Sequence, residues 1–151
     1  MILSTMIVAH RGGAEIANEN TLSSFHQAIE IGVDMVEIDV HMTRDGQVVV
    51  CHDFSIDRTT NGKGRIEDMD LEQFKQALVL DRDTKEPTSE SMPTLREALE
   101  LMKGRTSVPL EIKRRNKDQY PGLEKKIIDM IHELDMTDQV VIQSFDDQAI
   151  F

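Results

Sequence analysis

Val36–Asp53, reading VEIDVHMTRDGQVVVCHD, is the stretch that decides the fold. It predicts a strand over Val36–His41, a tight turn over Thr43–Gly46 and a second strand over Gln47–Cys51. Side chains alternate along a strand, so Glu37, Asp39 and His41 share one face while Val36, Ile38 and Val40 share the other. Neighbouring carboxylates repel, and burying them unpaired is costly, so they need a cation. Hard oxygen donors at this spacing suit Mg²⁺ or Ca²⁺. An E-x-D pair on a strand is, by itself, most often a solvated face or a salt-bridge partner, and it gains weight only from its surroundings. His52 and Asp53 follow at once, where the second strand gives way to a loop.

Upstream, the apolar run Thr5–Ala9 predicts a buried strand that ends at His10-Arg11-Gly12-Gly13, where paired glycines let backbone approach a ligand. Glu19-Asn20-Thr21 leads into a helix over Leu22–Ile31, with Asn20 as N-cap and Gly32 just past its end. Strand, helix, strand makes a βαβ unit, the usual building block of a parallel sheet.

Downstream, residues 54–93 read as an insertion. Asp57–Arg65 (DRTTNGKGR) is rich in turn formers, Asp70 caps a helix over Leu71–Leu80, and Asp81–Pro93 is a polar surface excursion. Thr94 and Glu97 form a capping box for a helix over Leu95–Lys103, closed by Gly104. A strand over Val108–Ile112 carries Glu111, with Lys113 just beyond on the same face. Pro121 at the first helical position starts a helix to about Leu134, and Gln139–Gln143 is a further strand before Ser144-Phe145 and the polar start of another helix.

The alternation of strands and helices predicts an α/β architecture. Polar residues recur where strands end: His10-Arg11, Glu37 and Asp39, His52, Glu111 and Lys113. In a parallel sheet or a (β/α)₈ barrel such ends converge on one face, where ligands bind. At 151 residues the chain fits one domain, 1–151, able to bury a sizeable core. With 17 Lys plus Arg against 28 Asp plus Glu, its net charge of −11 argues against nucleic acid or a polybasic membrane anchor. An anionic substrate must therefore be drawn in by local cations. One cysteine allows no internal disulfide, in keeping with a reducing, cytoplasmic compartment. No apolar run approaches membrane-spanning length, and Met1–Ala9 lacks the basic start and the length of a signal peptide.

Taken in order, His10-Arg11-Gly12, Glu19-Asn20-Thr21, Glu37-x-Asp39, His52-Asp53, Asp57-Arg58-Thr59-Thr60-Asn61-Gly62 and Glu111-x-Lys113 resemble the glycerophosphodiester phosphodiesterase family, as does Ser144-Phe145 after a strand. The resemblance runs from about Ile7 to Phe145. It implies a TIM (β/α)₈ barrel and metal-dependent hydrolysis of glycerophosphodiesters to glycerol 3-phosphate and an alcohol. It further implies that Glu37, Asp39 and Glu111 hold the divalent cation and that His10 and His52 are the acid/base pair. Arg11 and Lys113 would contact the phosphate, and Glu19 would line the same site. Where the family usually has proline before the Glu-Asn-Thr triplet, this chain has Asn18, which bears on the rigidity of that loop. The family resemblance also suggests that the substrate's own glycerol hydroxyl attacks first, through a cyclic phosphate.

The remaining candidates read as structural. His26 and His132 fall within helical segments, and His41 shares the acidic face without an assigned role. Cys51 and His52 point to opposite faces as strand neighbours, so Cys51 reads as a buried core residue. A full barrel takes roughly 250 residues, so this chain supplies its first half to five-eighths. An incomplete barrel exposes sheet edges, which leads to pairing with a second copy (a homo-oligomer) or to marginal stability. The rival functions are phospholipase D-type hydrolysis of lysophospholipids or sphingolipids, and a truncated non-catalytic fragment or assembly module.

Overall fold

The computed structural model describes residues 5–114 and 120–145. Strand β1 (Val8–Ala9) runs into a 3₁₀ turn at His10–Gly12 and then helix α1 (Leu22–Ile31). Next come β2 (Met35–Val36) and β3 (Ile38–Met42), interrupted only at Glu37, and β4 (Val48–Val50). The excursion over residues 54–93 holds a 3₁₀ turn, α2 (Leu71–Gln76), β5 (Leu78–Leu80) and β6 (Pro87–Ser91). The chain continues through α3 (Leu95–Met102), β7 (Val108–Ile112), α4 (Leu123–Glu133) and β8 (Val140–Gln143).

This is a mixed α/β fold. β1 pairs with β2, β3 with β7 and β7 with β8, all parallel, and a bridge between Met35 and Ser107 ties β2 to the start of β7. β4 returns antiparallel on β3, with His41 opposite Val49, so the strand–turn–strand order is as read. The register that matters sets Asp39 opposite Glu111, which brings both carboxylates to the same end of the sheet. Among the described residues the strands do not close into a barrel. No helix of the described residues is long and apolar enough to cross a membrane.

The aliphatic strand face (Val36, Ile38, Val40, Leu110, Ile112) packs in one core with Phe25 and Ala28 of α1, Leu95, Leu99 and Met102 of α3, and Leu123, Ile127 and Ile131 of α4. Burying side chains of this size stabilises by roughly 1.5–3 kcal/mol each. β4 is shared by two cores. Val48 and Val50 face the first, while Val49 and Cys51 face a second cluster built by the excursion from Ile56, Ile66, Met69, Phe74, Val79 and Met92.

Several elements differ from their sequence reading. The first strand is only two residues long, and Met6, Ile7 and Val8 are exposed, because no described strand pairs with that edge of β1. The N-cap of α1 is Thr21, whose hydroxyl accepts from the Ser24 amide, and not Asn20, whose side chain is engaged elsewhere. The helix expected over Leu71–Leu80 stops at Gln76, since Leu78–Leu80 is extended by antiparallel pairing with β6. Pro121 lies outside α4, which Gly122 caps with a left-handed φ of 76°. The capping box of α3 is as read: Thr94 and Glu97 each accept from the other's amide. The helix start expected after Phe145 lies outside the described residues.

Candidate active site

The site is built first by the loop after β1. Arg11 takes a left-handed φ of 53°, and a Cβ at Gly12 would stand 2.5 Å from Ser24 Oγ and 2.6 Å from the Phe25 ring. Glycine is thus required for the loop to tuck beneath α1. The turn aims the Arg11 amide at Glu37, donating to Oε2 at 2.7 Å, and the Gly12 amide at the Glu37 carbonyl. His10 Nε2 lies 4.0 Å from the same Glu37 oxygen, with most of its ring in solvent.

Glu37, Asp39 and Glu111 are all buried, and one oxygen from each lies within 4.8 Å of the others. The polar face of β2–β3 is therefore interior, not solvated. Asn20 Nδ2 donates to Asp39 Oδ2 at 3.0 Å, and Lys113 Nζ meets Asp39 Oδ1 at 2.9 Å and also pairs with Glu111. The Lys113–Asp39 contact is an ion pair without hydrogen-bond geometry, so Asp39 Oδ1 and Glu37 Oε1 are both buried without a hydrogen-bond donor. Burial, and then the adjacent Asp39 charge, push the Glu37 carboxyl up to about 7. Glu37 Oε1, buried without a partner beside two further carboxylates, is what a hard divalent cation would satisfy, so the donor set fits such an ion. Lys113 stays protonated: burial works against its charge, but the Glu111 and Asp39 carboxylates paired with it outweigh that burial.

A second set of groups leads from Arg11 outward. The Arg11 guanidinium lies 3.4 Å from Glu19 Oε1 and 3.7 Å from Asp39 Oδ2. Glu19 takes a two-pronged contact from Arg58, which also grips Asp53, and Asp53 Oδ1 accepts from His52 Nδ1 at 2.8 Å. His52 is therefore connected to the acidic trio through side chains and does not touch it. Burial acts to raise Asp53, yet hydrogen bonds from Arg58 and His52 hold it down at about 2.

His10, Glu37 and Glu111 line a cavity of about 320 Å³ together with Gln143, Ser144 and Phe145 at the end of β8. Of the other candidates, His26 and His132 are exposed on their helices. Cys51 is buried with a thiol pushed up to about 12 by that burial, which leaves it inert beside His52. His41 is buried and kept neutral, its pKa pushed down to about 4 chiefly by burial. Its Nε2 lies 3.2 Å from the His52 carbonyl, which can only accept, so Nδ1 accepts from the Tyr120 hydroxyl at 2.9 Å. Sequence reasoning did not find Asn20, Tyr120 or Arg58 as site residues. Asn20 and Arg58 lay inside quoted motifs, but Tyr120 carried no signal.

The sequence profile of the glycerophosphoryl diester phosphodiesterase family matches residues 10–150, across the whole of this arrangement. The chain belongs to that family. A glycerophosphodiester phosphodiesterase of Caldanaerobacter subterraneus is 38% identical over 149 residues, covering 98% of this chain and 61% of the relative. The crystal structure of the Agrobacterium tumefaciens glycerophosphodiester phosphodiesterase superposes with a TM-score of 0.84 at 29% identity, over 97% of this chain and 60% of that one. A phosphodiesterase of Oleispira antarctica, solved with the product sn-glycerol-3-phosphate, is 32% identical with a TM-score of 0.77, again over 97% and 60%. The chain thus spans about three-fifths of the length of these family members.

Proposed function

We propose that this chain carries the catalytic residues for metal-dependent hydrolysis of glycerophosphodiesters to glycerol 3-phosphate and an alcohol. The observation that carries the reading is the buried trio Glu37, Asp39 and Glu111, with Glu37 Oε1 left without a partner and the cations Arg11 and Lys113 against it. A phosphodiester resists attack until its charge is neutralised, and a Mg²⁺ or Ca²⁺ ion held by that trio would supply part of the neutralisation. Arg11 and Lys113 supply the rest as phosphate contacts, with Glu19 holding Arg11 in place. His52, with Nδ1–H committed to Asp53, exchanges protons at Nε2, and His10 beside Glu37 is its counterpart. One ring accepts the proton of the attacking hydroxyl, from water or the substrate's own glycerol, and the other protonates the leaving alkoxide.

In the same reading β1, β2–β3, β7 and β8 are consecutive strands of a TIM barrel, and residues 54–93 are an insertion within one domain, 1–151. The exposed Met6, Ile7 and Val8 beside β1 and Val141 on β8 mark apolar edges that a second copy would cover as a homo-oligomer. A cytoplasmic location is in keeping with the buried free thiol of Cys51.

The test is turnover of glycerophosphocholine and of lysophosphatidylcholine by the purified chain, with Mg²⁺, with Ca²⁺ and in excess chelator. Metal-dependent release of glycerol 3-phosphate from the first is expected. Preferential cleavage of the second would establish the phospholipase D-type reading. No turnover of either, with metal bound, would establish a non-catalytic fragment.

A further inference from the structure

We propose that Arg58 is a positioning residue for His52: its guanidinium, delivered by the excursion, clamps Asp53 and Glu19 together and so fixes the orientation and tautomer of the His52 ring. The proposal rests on the catalytic reading of His52 given above.

The geometry is that of one planar fork serving two carboxylates. Nε donates to Asp53 Oδ2 at 2.7 Å and Nη2 to Asp53 Oδ1 at 3.3 Å. The other edge donates to Glu19, from Nη2 to Oε1 at 2.7 Å and from Nη1 to Oε2 at 2.8 Å. An exposed single ion pair contributes little, on the order of 0–1 kcal/mol. Arg58 itself is 48% exposed, but its partners Glu19 and Asp53 are 15% and 30% exposed, and both edges of the guanidinium are occupied, so the geometry is that of a two-carboxylate network and not of a single pair. Without it, Glu19 and Asp53 would face each other as like charges, and Asp53 would be free to turn away from His52. Because a carboxylate only accepts, Asp53 Oδ1 requires the proton of His52 on Nδ1, and Nε2 keeps its lone pair.

The backbone that presents Arg58 is itself held. The Leu80 amide donates to the Thr59 carbonyl at 2.8 Å, and the buried Thr60 hydroxyl donates to the Ile56 carbonyl at 2.7 Å. The excursion also docks on the loop after β1, where the Arg82 amide donates to Asn18 Oδ1 at 2.8 Å. The insertion therefore sets the orientation of His52 from outside the sheet, and Asn18 supplies an anchor in place of proline's rigidity.

Two readouts on the full chain test this. Long-range ¹H–¹⁵N spectra of histidine-labelled protein in alkaline buffer, with His52 assigned by its loss in H52Q, report which ring nitrogen carries the proton. Wild type is expected to show the Nδ1–H form, and R58M a mixture of both tautomers. In R58K, where an ammonium reaches only one carboxylate at a time, an intermediate spectrum is expected. With Mg²⁺ and glycerophosphocholine, R58M should lose kcat roughly tenfold or more, with KM nearly unchanged, and R58K should recover only part. An unaltered tautomer in R58M together with unaltered kcat overturns the proposal, as does a loss confined to KM, which would make Arg58 a substrate contact. Should R58M not fold, R58K decides by the same readouts. If wild type turns nothing over, the catalytic reading fails, while the spectra alone still decide whether Arg58 sets the ring.

Discussion

Asn20 donates from Nδ2 to Asp39 Oδ2 at 3.0 Å, a buried contact between residues 19 apart in sequence. Asn20 adopts a left-handed φ of 55°, a conformation that asparagine tolerates better than most residues, and it is fully buried. The residue thus serves Asp39 instead of the helix behind it. Asn20→Ala leaves a buried carboxylate oxygen with one donor fewer, at a cost of about 1.5–3 kcal/mol, with backbone strain added. Urea unfolding measures this, and a change below roughly 0.5 kcal/mol would refute the contact's importance. Asn20→Gly, which relieves only the backbone part, should recover less than half of the loss.

Glu37→Gln removes one charge from the acidic trio while keeping its shape. In chelator at about pH 8, above the raised Glu37 value of about 7, the variant should melt at a higher temperature than wild type, because burial and then the neighbouring Asp39 charge oppose the Glu37 carboxylate. Added Mg²⁺ or Ca²⁺ should raise the wild-type melting temperature and leave the variant's almost unmoved. Equal metal stabilisation of both proteins would remove Glu37 from the cation site, and full turnover in chelator would remove the cation from the reaction.

His10→Ala and His52→Ala should each lower turnover by roughly 10²-fold or more, as expected for loss of a proton-transfer group. His26→Ala, exposed on α1, is the control and should keep wild-type turnover. Losses of only a few-fold would reduce His10 or His52 to a binding role. A comparable loss for His26 would show that the assay does not separate these roles.

Asp53 is held at about 2 in the folded chain, where burial is outweighed by the hydrogen bonds from Arg58 and His52, and its ordinary value is 3.8. A folded value below the unfolded one gives stability that is fully present above about pH 4 and fades as pH falls toward 2. The stability difference between wild type and Asp53→Asn should therefore be constant in the neutral range and shrink on acidification. Urea unfolding from pH 7 down to about 3 measures it. A difference that grows on acidification would contradict the clamp.

Sequence by itself determined the parts governed by local rules. The hairpin at 36–53 followed from alternation and a glycine turn, the α3 start from the Thr94–Glu97 capping box, and the strand–helix order from periodicity. It also supplied the acidic and basic residues at strand ends, since E-x-D and E-x-K patterns put both members on one face. Tertiary structure decided where those faces went. The β3–β7 register set Asp39 beside Glu111 and buried a face that an isolated strand would leave in water. Asn20 left the helix cap to Thr21 because Asp39 offered a buried partner, and Leu78–Leu80 became a strand because β6 lay alongside. Arg58 reached Glu19 across 39 residues of sequence. No local propensity encodes such a contact, because its energy exists only once the chain's distant segments have been folded together.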